Sequence, residues 1–338
     1  MNTLAIPERT CISPCHQGGL SLIELMISLT IGLVLLTGIT TLIVQQSSTR
    51  SELEKASREI ENGRYAVQLL HDDIQLAGFY GEYSPASGVA YTVPADPCNV
   101  NPGSTNSGWD ATPKVPVPVY GYAGAAADPT TATTCGLTNY KPNTAILVVR
   151  RTATAAVSVA TAAAGTTYLQ VSECNTSATP FVLGTGGFSL QQKDCATPAD
   201  LRQYLVDVYY ISSCDVCGTD TIPTLKMVQS GPAAAPVITP LVEGIENMQF
   251  DYGIDNTGDG APDTYTATPA ATDWQNVMAV QVNLLARNND PTVGYQDTKT
   301  YSLSAVSGVS SVGPFNDSFK RHAYSELVRA INPSGRRE

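Results

Sequence analysis

Polar and apolar residues follow three different patterns along this chain. Residues 25–44 run for twenty positions without a charge or a proline. As a helix that stretch is ~30 Å long, enough to cross the hydrocarbon core of a bilayer. From Leu53 the pattern changes: apolar or small residues recur at Leu53, Ala56, Ile60, Gly63, Val67, Leu70, Ile74 and Ala77. Glu52, Glu54, Lys55, Arg58, Glu59 and Glu61 fall between them, so the spacing predicts one buried stripe on an otherwise wet helix. No proline occurs between Pro14 and Pro85. Both stretches therefore belong to one helix of about 55–60 residues, roughly 85 Å long, stopped at Gly78-Phe79-Tyr80-Gly81.

The third pattern is irregular. From 82 to about 142 the chain is rich in Pro, Gly, Ala, Thr and Asn, which predicts a long loop region. Beyond it, runs rich in β-branched and aromatic residues predict strands at 145–151, 168–171, 181–182, 202–211, 224–228, 241–252, 277–287, 298–306 and 321–330. One long helix followed by antiparallel strands is an α+β fold. The organisation expected is a leader at 1–19, a membrane and packing helix at 20–81, and a β-rich globular domain with long loops at 82–338.

Composition narrows the function. With 338 residues, 43% of them hydrophobic, the chain has the material for a packed core. A net charge of -11 argues against a nucleic-acid partner, which calls for clustered Lys and Arg. Of eight cysteines, Cys11 and Cys15 lie in the leader; Cys98, Cys135, Cys174, Cys195, Cys214 and Cys217 remain. On the exported side of a membrane anchor an even number reads as three disulfides. Fifteen pairings are open, and the sequential one (98 with 135, 174 with 195, 214 with 217) closes local loops and is preferred. Cys214-x-x-Cys217 also has the form of a redox or zinc motif, but it sits in turn sequence with no second such pair and no nearby His.

Catalytic patterns are missing from the sequence. His16, His71 and His322 are scattered, and there is no G-x-S-x-G, H-E-x-x-H or P-loop. Asp72-Asp73 are helix neighbours that point in different directions and are expected to be solvated. No enzyme and no cofactor is expected, with one reservation for calcium. Asp255, Thr257, Asp259 and Asp263, with Gly260 at the sixth position, follow much of a calcium loop. Thr stands at positions 3 and 12, so the bidentate glutamate is missing. An acidic hairpin turn explains the same residues.

Glu24 lies at the start of the apolar run, where an unpaired charge costs about 2.5 kcal/mol or more inside a membrane. The stretch around it, Gly18-Gly19-Leu20-Ser21-Leu22-Ile23-Glu24-Leu25, resembles the class III signal of type IV prepilins. A secretory signal differs, having a shorter apolar core with its cleavage site after it. The resemblance implies that a membrane prepilin peptidase cuts after Gly19 and methylates Leu20, and that Glu24 neutralises an N-terminal amine in the assembling fibre. Two departures stand out: Leu20 replaces the usual Phe, and Thr41 occupies a position where many major pilins have proline.

Two further stretches resemble PilW-type minor pilins. One runs from Asn62-Gly63-Arg64-Tyr65-Ala66 through Asp73-Ile74-Gln75-Leu76-Ala77-Gly78-Phe79-Tyr80-Gly81; the other covers 241–255, followed by Trp274. The implied function is that of a minor pilin in a priming or tip complex, with other minor pilins, pilus subunits and the peptidase as partners. The implied place is the inner membrane, with the C-terminal domain in the periplasm and later on the pilus. An adhesion or calcium-dependent binding module at the fibre tip, working through 82–142, and a type II secretion pseudopilin are the alternatives.

Overall fold

The computed structural model of the protein describes residues 19, 21–85, 89–101, 108–109, 114–230, 236–306 and 311–337. It comprises two compact units, 1–53 and 54–338. Helix α1 (Leu22–Leu76) contributes to both. In the first unit it is long and apolar enough to cross a membrane, and its large side chains, among them Leu22, Ile31, Leu36 and Val44, are exposed. The hydroxyls of Ser28, Thr37, Thr40 and Thr49 donate to the carbonyls of Glu24, Leu33, Leu36 and Gln45, four residues back. Each hydroxyl therefore finds its partner on its own helix, which is what an apolar surrounding demands.

The second unit adds β1 (Ala90–Thr92), β2 (Lys114–Pro116), β3 (Val119–Tyr122), β4 (Ile146–Thr152), β5 (Tyr168–Val171) and β6 (Phe181–Gly184). It continues with β7 (Leu201–Ser212), β8 (Thr224–Gln229), β9 (Val237–Glu243), β10 (Ile245–Ile254), β11 (Thr264–Thr266) and β12 (Val277–Arg287). The chain ends in β13 (Tyr301–Ser302), β14 (Ser311–Val312), β15 (Arg321–Arg329) and a short helix α2 (Ile331–Gly335). One sheet has seven strands organised on β7; another has the order β11-β10-β12-β15. The pairings within both are antiparallel, as in Phe250 opposite Val282 and Val280 opposite Val328. The fold is α+β, a long helix with a mostly antiparallel β domain.

Residues Ala66, Val67, Leu70 and Ile74 of α1, with Ala77 just after it, share one core with Leu147, Val149, Ile211, Leu225, Met248, Phe250, Val282 and Leu284. Both sheets thus contribute to the bed on which this part of the helix lies. A fully buried Leu or Ile there stabilises by about 1.5–3 kcal/mol. Strand β4 is covered on both faces: Leu147 and Val149 belong to this core, and Ile146 and Val148 to a second one with Tyr80, Trp109, Val115 and Tyr204. That is why Ile146-Leu147-Val148-Val149 is continuously apolar instead of alternating.

Five sequence expectations need correction. The buried stripe of α1 is Glu59, Gly63, Ala66, Val67, Leu70, Asp73 and Ile74, whereas Leu53 is 66% and Ile60 46% exposed. Two acids, Glu59 and Asp73, lie on the buried face, and for Asp73 the sheets supply side-chain partners. Asp73, expected in solvent, is buried and bonded by Arg151 Nε and by the Tyr209 hydroxyl at 3.0 Å. Residues 82–142 are not one loop: β1, β2 and β3 lie there, and Trp109 is buried edge-on against Tyr80, Phe181 and Tyr204. The expected strand 241–252 is two strands in different sheets. Gly244, at φ +77, separates them, and a Cβ on it would stand 2.8 Å from the Arg287 carbonyl oxygen. The expected strand 298–306 shrinks to Tyr301–Ser302, since Asp297, Tyr301 and Ser304 are engaged in side-chain bonds to one another or to Asp251.

Gly63 marks the closest approach of helix and sheet, because a Cβ there would lie 2.2 Å from the Tyr324 ring. Alanine at this site gains about 1 kcal/mol of helix propensity, but the clash with a packed ring outweighs it. Gly63→Ala is expected to lower the Tm of the detergent-solubilised chain, by a net loss on the order of 1 kcal/mol. A raised Tm would show that the ring yields freely.

Arg151 holds two buried carboxylates, Asp73 and Asp207, the latter at 3.4 Å. Burial, with the charge of Asp73 adding to it, pushes the Asp207 carboxyl up to about 7. A carboxyl whose folded value is raised favours the proton in the folded state, so stability falls as pH rises from the ordinary carboxylate range through about 7. Arg151→Leu removes the only guanidinium between the two acids and is expected to destabilise by about 3–5 kcal/mol at pH 8. The loss should be smaller at pH 5, where Asp207 takes up a proton. Chemical denaturation at both pH values checks this; an equal loss at both would rule out charge as the cause.

Candidate functional site

Gly19 is exposed, while Leu20 and residues 1–18, with Cys11, Cys15 and His16, lie outside the described residues. Helix α1 begins at Leu22, directly after Ser21. The Ser21 amide donates to a Glu24 carboxylate oxygen at 3.3 Å. Ser followed three residues later by Glu is the capping-box arrangement, in which the acid satisfies one of the free amides at a helix start. The spacing of Ser21 and Glu24 carries that signal in the sequence, and the reading above overlooked it. Glu24 therefore has a use within its own chain, but a weak one: one neutral amide at the long end of hydrogen-bond range.

The six remaining cysteines form Cys98–Cys135, Cys174–Cys195 and Cys214–Cys217 disulfides. The first pins the layer over the outer face of β4 and β7, where Cys98 and Cys135 are themselves part of the second core. The third closes the turn after β7. Asp220 ties that turn by accepting from the amides of Asp215, Val216 and Ile222 at 2.7–3.0 Å, and Lys226 donates to the Asp215 carbonyl.

The 255–263 loop gathers its carboxylates around amides and not around a common centre. Asp255 accepts from the amides of Gly258 at 2.5 Å and Gly260 at 2.9 Å, and pairs with Arg337 at 3.0 Å. Burial pulls the Asp255 pKa upward, but these amides and the guanidinium together hold it below the ordinary carboxylate value. Asp263 accepts from the amides of Asn256 at 2.7 Å and Thr257 at 3.1 Å, and Thr257 also donates its hydroxyl to it. Asp259 accepts from the Ala261 amide. Among the described residues no three His, Cys, Asp or Glu side chains form a group that holds a metal. The oxygens of Asp255, Asp259 and Asp263 accept from N–H groups, as an acidic hairpin turn requires.

The remaining chemical groups are dispersed. His71 Nδ1 stands 2.7 Å from Glu326 Oε1, and His322 lies edge-on against Tyr324. A cleft of about 520 Å³ bordered by Tyr91, Asn276, Arg336 and Arg337 has its cations engaged: Arg336 donates to the Tyr91 hydroxyl, and Arg337 to Asp255 and Asn276. Sequence reasoning did not anticipate Arg321, a buried guanidinium shared by Glu246, Asp297 and Asp317. Asp317 lies four residues before it, but the other two acids, Glu246 and Asp297, lie 75 and 24 residues away, and nothing local marks the cluster.

Two family descriptions match the chain. Residues 15–40 match the prokaryotic N-terminal methylation motif, and residues 208–332 match the type IV pilus-assembly protein W family. Among solved structures, a type IV-like pilin from Thermus thermophilus, TTHA1219, aligns over 56% of this chain and 80% of its own, with 14% identity and a TM-score of 0.29. No curated protein matches. The two family matches bracket the chain, one on the apolar start of α1 and the other on strands from β7 to β15, and over those stretches the chain is similar to the type IV pilus-assembly protein W family and to proteins with the N-terminal methylation motif.

Proposed function

We propose that the chain is cut after Gly19, methylated on Leu20 and inserted into a minor-pilin complex that primes or tips a type IV pilus. The observation that carries this reading is the first part of α1: an exposed apolar helix that places one acid, Glu24, five positions after a glycine. The acid's single in-chain bond, to the Ser21 amide at 3.3 Å, leaves its negative charge without a cation among the bonds that the described residues make to it. An N-terminal amine of a neighbouring subunit is the matching positive group, and it exists only once the leader has gone. Before assembly the apolar helix sits in the inner membrane with the β domain in the periplasm, where the three disulfides are chemically at home. The partners on this reading are other minor pilins, pilus subunits and the prepilin peptidase. The protein's role is structural.

N-terminal sequencing of the membrane form is expected to begin at Leu20; a start elsewhere, in cells with an active prepilin peptidase, overturns the processing step. The Glu24 role is separable from capping. Glu24→Gln keeps a carbonyl oxygen for the Ser21 amide and removes the charge, whereas Glu24→Ala removes both. Both substitutions are expected to reduce pilus initiation in a deletion strain by tenfold or more, with leader cleavage and the Tm of the β domain unchanged. Full initiation by Glu24→Gln alongside loss in Glu24→Ala would reduce Glu24 to a helix cap. Restored assembly by a chain lacking residues 1–48 would remove the membrane helix from the function altogether.

A further inference from the structure

At one corner of the β domain α1 passes the end of β12. Glu59 is 7% exposed and Asn288 3% exposed. Glu59 Oε1, Arg287 Nε, both amide atoms of Asn288 and Asn289 Oδ1 are all buried without a hydrogen-bond partner. These five atoms belong to residues that line a single small pocket of about 10 Å³, which is room for the centre of about one water molecule. The pocket adjoins a fixed joint. Asn62 Nδ2 donates to the Glu243 carbonyl at 3.0 Å, Asn289 Nδ2 to the Glu243 carboxylate at 2.9 Å, and the Tyr324 hydroxyl to the Glu59 carbonyl at 3.5 Å. Lys55 Nζ donates to the Pro291 carbonyl at 3.0 Å.

A carboxyl in such a place has two states with different demands. Protonated, it carries no charge and brings a donor to a pocket that holds the oxygens of Asn288 and Asn289. Ionised, it is a buried anion whose Oε1 needs donors; Arg287 and Asn288 line the same pocket, but Arg287 Nε and Asn288 Nδ2 make no hydrogen bond to it, and a buried charge without such bonds is expensive. The charged groups around it are Lys55 and Arg58 on α1, Arg287 and Asp290 at the end of β12, Glu243 on β9, and Lys299, Lys320 and Arg321 from the last part of the chain. The lysines and arginines favour the ionised form. Desolvation outweighs them, and it pushes the Glu59 carboxyl up to about 7, with Lys320, Arg321 and Lys299 lowering it in part.

We propose that Glu59 is a proton-operated latch: protonated, it closes the pocket between α1 and the β12 corner, and its ionisation draws water in and loosens residues 55–63 from that corner. The proton comes from solvent and returns to it, so no other reactant is involved. The sign follows from linkage. In the opened segment the carboxyl is solvated and titrates at its ordinary value of 4.5, whereas in the closed one it titrates at about 7. Closure is therefore fully favoured below 4.5 and weakens as pH rises through about 7. Asp73 and Asp207 form a separate acid pair farther along α1, held by Arg151, and they stay in place in the test.

The experiment is amide hydrogen exchange on the detergent-solubilised full chain, expressed as protection factors so that the intrinsic pH dependence is removed. Residues 55–63 are expected to lose about tenfold or more in protection between pH 5 and pH 8, while β7 and β12 keep theirs relative to the Asp207-dependent background. Glu59→Gln should abolish that local pH dependence and hold the pH 5 level of protection. Asn288→Asp, which adds a second acid to the pocket, should steepen it. A pH-independent segment in the unmodified chain, or the same pH dependence in Glu59→Gln, overturns the proposal. A Glu59→Gln chain unprotected at both pH values would also overturn it, by showing that the carboxylate itself fastens the joint.

Discussion

The constraint on which this molecule depends is that one helix, α1, presents polar groups to two different surroundings, and each group must be satisfied by whatever lies at that level. Along the apolar stretch only the helix itself is available, so Ser28, Thr37 and Thr40 bond to carbonyls one turn back. From residue 54 onward the sheets are available. They return partners of the right kind: Arg151 and Tyr209 for Asp73, the ring of Tyr324 for the gap left by Gly63, and apolar side chains from β4, β10 and β12 for Leu70 and Ile74. The same rise and period of 3.6 residues run through both parts. Only the answering chemistry changes.

The sheets are arranged to supply that bed. Strand β7 is central to one and β10 to the other, and Gly244 passes the chain from β9 to β10 through a conformation that a side chain would obstruct. The match to the pilus-assembly W family, 208–332, covers most of what faces α1: the second half of β7, then β8, β10, β12 and β15. The part before it, from 82 to about 200, forms the layer on the other side of β4 and β7 and holds two of the three disulfides. Its core is small, built on Tyr80, Trp109 and Tyr204, and a cross-link across it constrains the unfolded chain where apolar burial is limited.

The helix and most strands were legible because their signals are local. Residues 168–171 and 277–287 are strands at the positions their composition predicts, and the glycine stop places the end of α1 within two residues. What was not legible is long-range. The rotation of the buried stripe, with Glu59 and Asp73 inward and Leu53 and Ile60 outward, depends on side chains such as Arg151 and Tyr324, contributed by strands 78 and 265 residues away. The split of 241–252 depends on two sheets meeting at Gly244, and a periodicity argument treats that glycine as a mere weakness in one strand. The 255–263 loop matched a calcium pattern at several positions because turns and calcium loops share Asp, Asn and Gly. They differ in whether the oxygens converge on one point or cap amides, and that is a property of the backbone path. Glu24 could have been read more fully, since its capping partner Ser21 is only three residues away.

Three acids on α1 illustrate how position decides what a carboxylate is for. Asp73 meets a guanidinium and a phenol, and in that setting it acts as a fastener whose removal is a matter of stability. Glu59 has cations near it, but no donor on the oxygen that faces the pocket, so its charge is disfavoured and its proton becomes the variable. Glu24 lies in the apolar stretch, where there is no sheet to bring either. On its own helix Glu24 accepts from one amide at 3.3 Å, and hydrogen bonding to a neutral donor offsets only a fraction of the desolvation of a charge. An acid kept at such a position is intelligible if its positive partner arrives from another chain, and on the proposed reading that partner, an N-terminal amine freed by cleavage after Gly19, cannot act too early.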